Sequence, residues 1–209
     1  MMKAVIFDID GVLLDSFEAN LKFFQDLLSQ AGYEPPTREE LRPIFHYSMI
    51  DTIKALTQSR EEEEICRLWE IGRRQEGVKY DLGLLTMPTG TAAVIKTLSE
   101  NYSLGIVTSR VKNSIYELPL LAGLRDYFRA TVAYEDTKQH KPDPEPLLLA
   151  ASQLGAAPAT CVYIGDVEND LQAARAAGMK AIIYSPSALS QADANTADFT
   201  KLPELIASL

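Results

Sequence analysis

Lys3-Ala-Val-Ile-Phe7-Asp8-Ile-Asp10-Gly11 opens the chain with four consecutive apolar residues that run directly into two acids and a glycine. The run is continuous in apolar character rather than alternating. That is the pattern of a parallel strand covered on both faces. Further runs of the same kind stand at 104–107, 162–164 and 181–184, with a weaker one at 130–134. Between them, helical patterns cover 91–100, 144–154 and 169–177. Strands alternating with helices predict an α/β fold built on a Rossmann-like, mainly parallel sheet.

The interval after the first strand breaks this rhythm. Residues 16–83 hold several helix starts and no convincing strand. Phe17, Leu21, Phe24, Leu28 and Ala31 recur at steps of four and three, which places them on one helix face. Thr37 and Glu40 have capping-box spacing, and Ser59-Arg-Glu-Glu62 opens another acidic first turn. Gly32 and Pro35-Pro36 separate the first two helices. The acids at 61–64 read as a solvated helix start. The expectation is a catalytic core of residues 1–15 and 84–209, interrupted by a helical cap domain of residues 16–83 over the strand ends.

The chain has 209 residues, 46% hydrophobic and 23% charged, as ordinary soluble globular proteins have. Its net charge of −9 repels phosphate backbones and anionic lipid, so neither nucleic acid nor membrane is expected as a partner. A small anionic substrate stays open, because a metal ion and one lysine can reverse the potential inside a cleft. Cys66 and Cys161 are too few for a zinc site, and a disulfide between them is not expected. The first apolar run is too short for a signal peptide, and no long uncharged apolar segment follows. The expected setting is cytoplasmic, for a monomer or weak dimer.

In open α/β sheets, ligands bind beyond the carboxyl ends of the strands. The residues found there are Asp8 and Asp10, then Thr108-Ser109-Arg110, then Gly165-Asp166 with Asp170 following, and Lys141-Pro-Asp-Pro before a helix. Carboxylates gathered in one pocket repel each other unless a cation lies between them, and oxygen-only ligation suits magnesium. One carboxylate can attack a phosphoryl group, and a second can move a proton to the leaving oxygen and from water. A hydroxyl, backbone amides and Lys141 can bind phosphoryl oxygens.

The segments Asp8-Ile-Asp10-Gly-Val-Leu-Leu-Asp-Ser16, Ile106-Val-Thr108-Ser, Lys141-Pro-Asp-Pro-Glu and Gly165-Asp166-Val-Glu-Asn-Asp170 resemble, in order, the four motifs of the haloacid dehalogenase-like hydrolase superfamily. The helical insert is similar to the cap of its phosphoglycolate phosphatase and β-phosphoglucomutase branch. The resemblance implies a magnesium-dependent phosphatase acting on a small phosphorylated metabolite. It makes Asp8 the nucleophile and a metal ligand. Asp10 becomes the general acid/base, touching the metal through its backbone carbonyl. Thr108 and the Ser109 amide bind phosphate, Lys141 neutralises nucleophile and phosphate, and Asp166 ligates the metal. Asp170 orients metal-bound water or Lys141.

Blander readings stand beside these. Asp8 and Asp10 could cap a turn, Thr108 and Ser109 a helix, and Asp170 could be a first-turn acid. Lys141 could be a solvated surface lysine. His46 and His140 are the only histidines, and histidine is more often structural than catalytic. The dehalogenases that name the superfamily generally lack an acid at the position of Asp10, which points this chain toward phosphoryl transfer. A sugar phosphomutase and a non-catalytic phosphate-binding module are the alternatives. Where similar chains carry a glycine in the cap loop, this one reads Ile44-Phe-His-Tyr-Ser-Met49, which makes His46 a candidate specificity residue.

Overall fold

The computed structural model describes residues 2–116 and 118–209. In chain order the elements are β1 (Ala4–Phe7), α1 (Phe17–Gln30), α2 (Arg38–Leu41), α3 (Met49–Thr57), α4 (Glu62–Arg74), α5 (Thr91–Ser99) and β2 (Ser103–Val107). They continue as α6 (Pro119–Ala122), β3 (Phe128–Val132), α7 (Glu145–Gln153), β4 (Cys161–Gly165), α8 (Glu168–Ala176), β5 (Lys180–Tyr184), β6 (Ala194–Thr196) and α9 (Leu202–Ala207).

All four residues of β1 are fully buried, as a strand flanked on both sides and covered on both faces must be. It pairs in parallel with β2 on one side and β4 on the other. The sheet order is β3-β2-β1-β4-β5-β6, with every neighbouring pair parallel. One face carries Ala4 and Ile6 against Leu147, Ala150, Leu171 and Ala174 of α7 and α8. On the other side Phe7 meets Phe128 edge-on at 6.2 Å and stacks on Phe199 at 6.4 Å. The chain leaves β1 toward β2 on one side and returns to β4 on the other. That reversal makes a crevice at the carboxyl ends of β1 and β4, where α/β sheets place ligands.

Two strands differ from the sequence expectation. The run at 130–134 is displaced to Phe128–Val132, and Tyr134 starts a short 3-10 turn whose N–H donates to the Arg110 carbonyl. This is an edge strand, and its first residues are half-buried or exposed, so an apolar-run reading starts too late. The other edge strand, Ala194–Thr196, is three residues long and mostly polar, with no apolar run to announce it.

The chain divides into two compact units, Met1–Leu14 with Met87–Leu209, and Asp15–Thr86. The ends of the second unit are tied by a two-bond bridge, Asp15 N–H to the Thr86 carbonyl at 2.9 Å and the reverse at 3.2 Å. This unit has its own apolar core, with Leu27, Leu28, Leu41, Ile53 and Leu68 buried together. Leu21, Phe24 and Leu28 of the expected stripe are buried on α1. The Thr37–Glu40 capping box forms with both of its bonds. On α4 three glutamates occupy the first turn and Arg73 and Arg74 the last, each at the end of the macrodipole that favours it.

In the same unit His46 is half-buried between α2 and α3, its ring edge-on to Tyr47 at 4.8 Å. Ser48, beside it, is the N-cap of α3: its Oγ accepts from the Asp51 N–H at 3.2 Å and donates to the Asp51 carboxylate at 2.7 Å. Both cysteines are free, Cys66 exposed and Cys161 buried. Among the described residues no helix is long and apolar enough to cross a membrane. Ser48→Ala should lower stability by about 1 kcal/mol in denaturant titrations, and Ser48→Thr, which keeps both the acceptor and the donor, should restore most of it. Equal stability of all three proteins would contradict the capping role.

Candidate active site

The site begins with Asp8, the first residue beyond β1. Its N–H continues the ladder to the Ile164 carbonyl at 2.9 Å, so its backbone is fixed by the sheet. One carboxylate oxygen accepts from the Ile9 N–H at 2.7 Å and the other from Lys141 Nζ at 2.8 Å. Lys141 also donates to Asp170 Oδ1 at 2.7 Å and to the Tyr163 hydroxyl at 3.0 Å, and that hydroxyl donates to the same Asp170 oxygen at 3.2 Å. The lysine is therefore not a solvated surface residue. Its ammonium is surrounded by two carboxylates and a phenol.

Asp170 serves two ends at once. Its second oxygen accepts from the Asp166 N–H at 3.0 Å and the Val167 N–H at 3.4 Å, which caps the start of α8. The helix-cap reading and the functional reading of this acid describe one side chain. Glycines make the crowding possible. A Cβ on Gly165 would stand 2.2 Å from the Asp170 Cβ. One on Gly11, whose φ is +81°, would stand 2.2 Å from Asp166 Oδ2.

Asp8, Asp166 and Asp170 each offer an oxygen within 4.8 Å of the others. Burial, together with the charges of Asp170 and Asp8, pushes the Asp166 carboxyl up to about 9. Burial likewise pushes Asp8 up to about 7, although Lys141 pulls the other way. Burial alone would lower the Lys141 ammonium, yet Asp170 and Asp8 hold it well above the ordinary lysine value. Three carboxylates thus share one ammonium, an arrangement short of positive charge and lined with oxygen donors. A hard divalent cation such as magnesium fits that deficit.

Thr108 is buried at the end of β2, with its N–H bonded to the Val132 carbonyl at 3.0 Å. Its hydroxyl accepts from the Arg110 N–H at 3.2 Å. Ser109 is half-buried and has no hydrogen-bond partner among the described residues, which leaves an N–H and a hydroxyl for a ligand. Asp10 is held by Arg110, whose Nε and Nη2 donate to its two oxygens at 2.7 and 2.6 Å. His46 belongs to the Asp15–Thr86 unit, and His140 stacks on Tyr134 at 3.9 Å.

Two residues of this network had no assigned part in the sequence reading. Tyr163 looked like one more apolar residue of β4, although its place two residues before Gly165 turns it to the face that carries Asp170. Arg110 followed Thr108-Ser109 directly, and a cation at a rim of carboxylates was a signal available to be used.

The haloacid dehalogenase-like hydrolase model matches residues 5–184. A pyrophosphatase PpaX of Bacillus pumilus is 31% identical over 180 residues, 86% of this chain and 81% of the relative. A phosphoglycolate phosphatase of Xylella fastidiosa is 31% identical over 187 residues, 87% of this chain and 79% of the relative. The crystal structure of a haloacid dehalogenase-like hydrolase from Bacteroides fragilis superposes with a TM-score of 0.86 at 22% identity, over 97% of this chain and all of the other, a likeness of fold. With its motifs on one rim and the family model matched from the first strand to the fifth, this chain belongs to the haloacid dehalogenase-like hydrolases.

Proposed function

We propose that this enzyme is a magnesium-dependent phosphatase for a small phosphorylated metabolite, working through a phosphoryl group carried on Asp8. The observation that carries this reading is the Lys141 ammonium fixed between Asp8 and Asp170, beside Asp166. A carboxylate attacking a dianionic phosphate meets electrostatic repulsion. A buried ammonium 2.8 Å from Asp8 Oδ2 reduces it at the place where the bond must form.

The Asp8 carboxylate attacks phosphorus, the bond from phosphorus to the leaving oxygen breaks, and Asp10, protonated on a lone pair outside the Arg110 fork, gives that oxygen its proton. Asp10 then takes a proton from the water that attacks the aspartyl phosphate. The acyl-phosphate bond breaks at phosphorus, so Asp8 is regenerated and inorganic phosphate leaves. Thr108 and Ser109 hold the phosphoryl oxygens through hydroxyl and amide donors, while Lys141 screens their charge.

Asp8 and Asp166 are the side chains that would hold the metal, with the Asp10 carbonyl as the family resemblance implies. Asp170 is less suited to direct ligation, because its two oxygens already accept four hydrogen bonds. When bound, magnesium supplies the positive charge that the carboxylates and a phosphoryl group together lack.

The names of the two curated relatives make pyrophosphate and phosphoglycolate the first substrates to try. Phosphate release from a panel of phosphorylated metabolites, with magnesium, tests the reading and ranks the substrates. Conversion of a hexose 1-phosphate to its isomer without phosphate release would favour a mutase. Asp8→Asn should remove phosphate release from every substrate while leaving the fold intact, since the amide is nearly isosteric but cannot form the acyl phosphate. Turnover near that of the unaltered enzyme would refute the nucleophile.

The raised carboxyls also predict how stability follows pH. Asp8 and Asp166 titrate at about 7 and about 9 in the fold, against 3.8 ordinarily, so the folded site binds more protons than the unfolded chain across that window. Without metal their contribution falls as pH rises from about 4 to about 9, and it does not oppose folding below that range. Magnesium binds the deprotonated form, so its stabilisation should grow over the same range. The rise in melting temperature with magnesium should be larger near pH 9 than near pH 6, and Asp166→Asn should remove most of it. A magnesium shift independent of pH, or unchanged in Asp166→Asn, would contradict the assignment.

A further inference from the structure

Arg110 stands where two parts of the site meet. Its backbone is pinned on both sides: the N–H donates to Thr108 Oγ1 at 3.2 Å, and the carbonyl accepts from the Tyr134 N–H at 2.9 Å. Its guanidinium, 11% exposed, meets both oxygens of Asp10. A planar fork on a planar carboxylate fixes the orientation as well as the distance of its partner. Asp10 lies just beyond the sheet, its backbone in a short bridge with Leu14, and precedes Gly11 at φ +81°. The Arg110 fork adds a constraint on the carboxylate itself. One residue thus sets the place of the Thr108 hydroxyl through its amide and of the Asp10 carboxylate through its side chain.

We propose that Arg110 is a positioning residue for Asp10, aiming the carboxylate that exchanges a proton with the leaving oxygen. It does so in register with the hydroxyl that holds the phosphoryl group. This rests on the proton-transfer role of Asp10 proposed above. In this role Arg110 acts through Asp10, not on the substrate.

Leaving-group chemistry separates this role from a merely structural ion pair. kcat/KM reports the steps up to cleavage of the ester bond. An alkoxide departs in that step only with a proton, whereas para-nitrophenolate departs without one. Arg110→Ala and Arg110→Gln should lose on the order of 10²-fold in kcat/KM for an unactivated alkyl phosphate, and no more than about threefold for para-nitrophenyl phosphate. Arg110→Lys should fall between, because an ammonium supplies a point charge and not a fork. Turnover of the aryl ester doubles as the test that each variant is folded.

Parallel losses on both esters in all three variants, an unchanged ratio, or a gain on the alkyl ester would overturn the proposal. Asp10→Asn, measured beside them, tells the two failures apart. If it spares the aryl ester and the arginine variants do not, the positioning role fails alone. If it treats both esters alike, the proton-transfer reading of Asp10 fails and the role of Arg110 falls with it.

Discussion

The ammonium of Lys141 is the interaction on which the rest of the site depends. It is buried, its side chain only 8% exposed, and it touches Asp8, Asp170 and Tyr163 at hydrogen-bond distance. An ion removed from water in this way persists only where opposite charge and hydrogen bonds replace hydration. Two carboxylates do so here. The dependence is mutual, since Asp8 beyond β1 and Asp170 in the first turn of α8 would otherwise be buried anions facing each other. Deleting one partner of such a buried pair typically costs about 3–5 kcal/mol, far more than any surface ion pair of this chain can contribute.

Geometry for that cluster comes from the sheet. β1 and β4 are hydrogen-bonded neighbours, so Asp8 and Asp166 leave the sheet side by side. The two glycines let them come closer than ordinary residues would. Gly11 gives the Asp166 carboxylate room against the loop after β1, and Gly165 gives the Asp170 side chain room against the end of β4. The start of α8 then turns Asp170 back toward Lys141, so one carboxylate both caps a helix and fixes a lysine. Close approach concentrates negative charge, and burial makes it costly. Three carboxylates and one ammonium there leave a deficit of positive charge among oxygen donors that could hold a cation.

Much of this was legible in the sequence, and the parts that were not share a cause. Continuous apolar runs identify strands buried on both faces, so β1, β2, β4 and β5 were found close to their true limits. β3 and β6 lie at the sheet edges, where one side of the strand meets solvent and the composition turns polar; β3 was shifted and β6 missed. Within the site, the motif acids, Thr108 and Lys141 were visible because each lies next to a strand or helix boundary. Tyr163 was hidden by its composition: an aromatic in a buried strand reads as core, and only the fold brings its hydroxyl to Lys141 and Asp170. The Arg110–Asp10 pair joins residues a hundred positions apart, and no local pattern announces it.

The central claim is that the carboxylate presented to Lys141 is the one that becomes phosphorylated. Its most direct test is to quench the enzyme with acid during turnover, reduce it with borohydride, and map the modified residue by mass spectrometry. Reduction converts an aspartyl phosphate into homoserine. The account predicts homoserine at position 8 alone, appearing only when substrate is present. Conversion at Asp10, Asp166 or Asp170 instead, or modification of a residue outside this cluster, would contradict it.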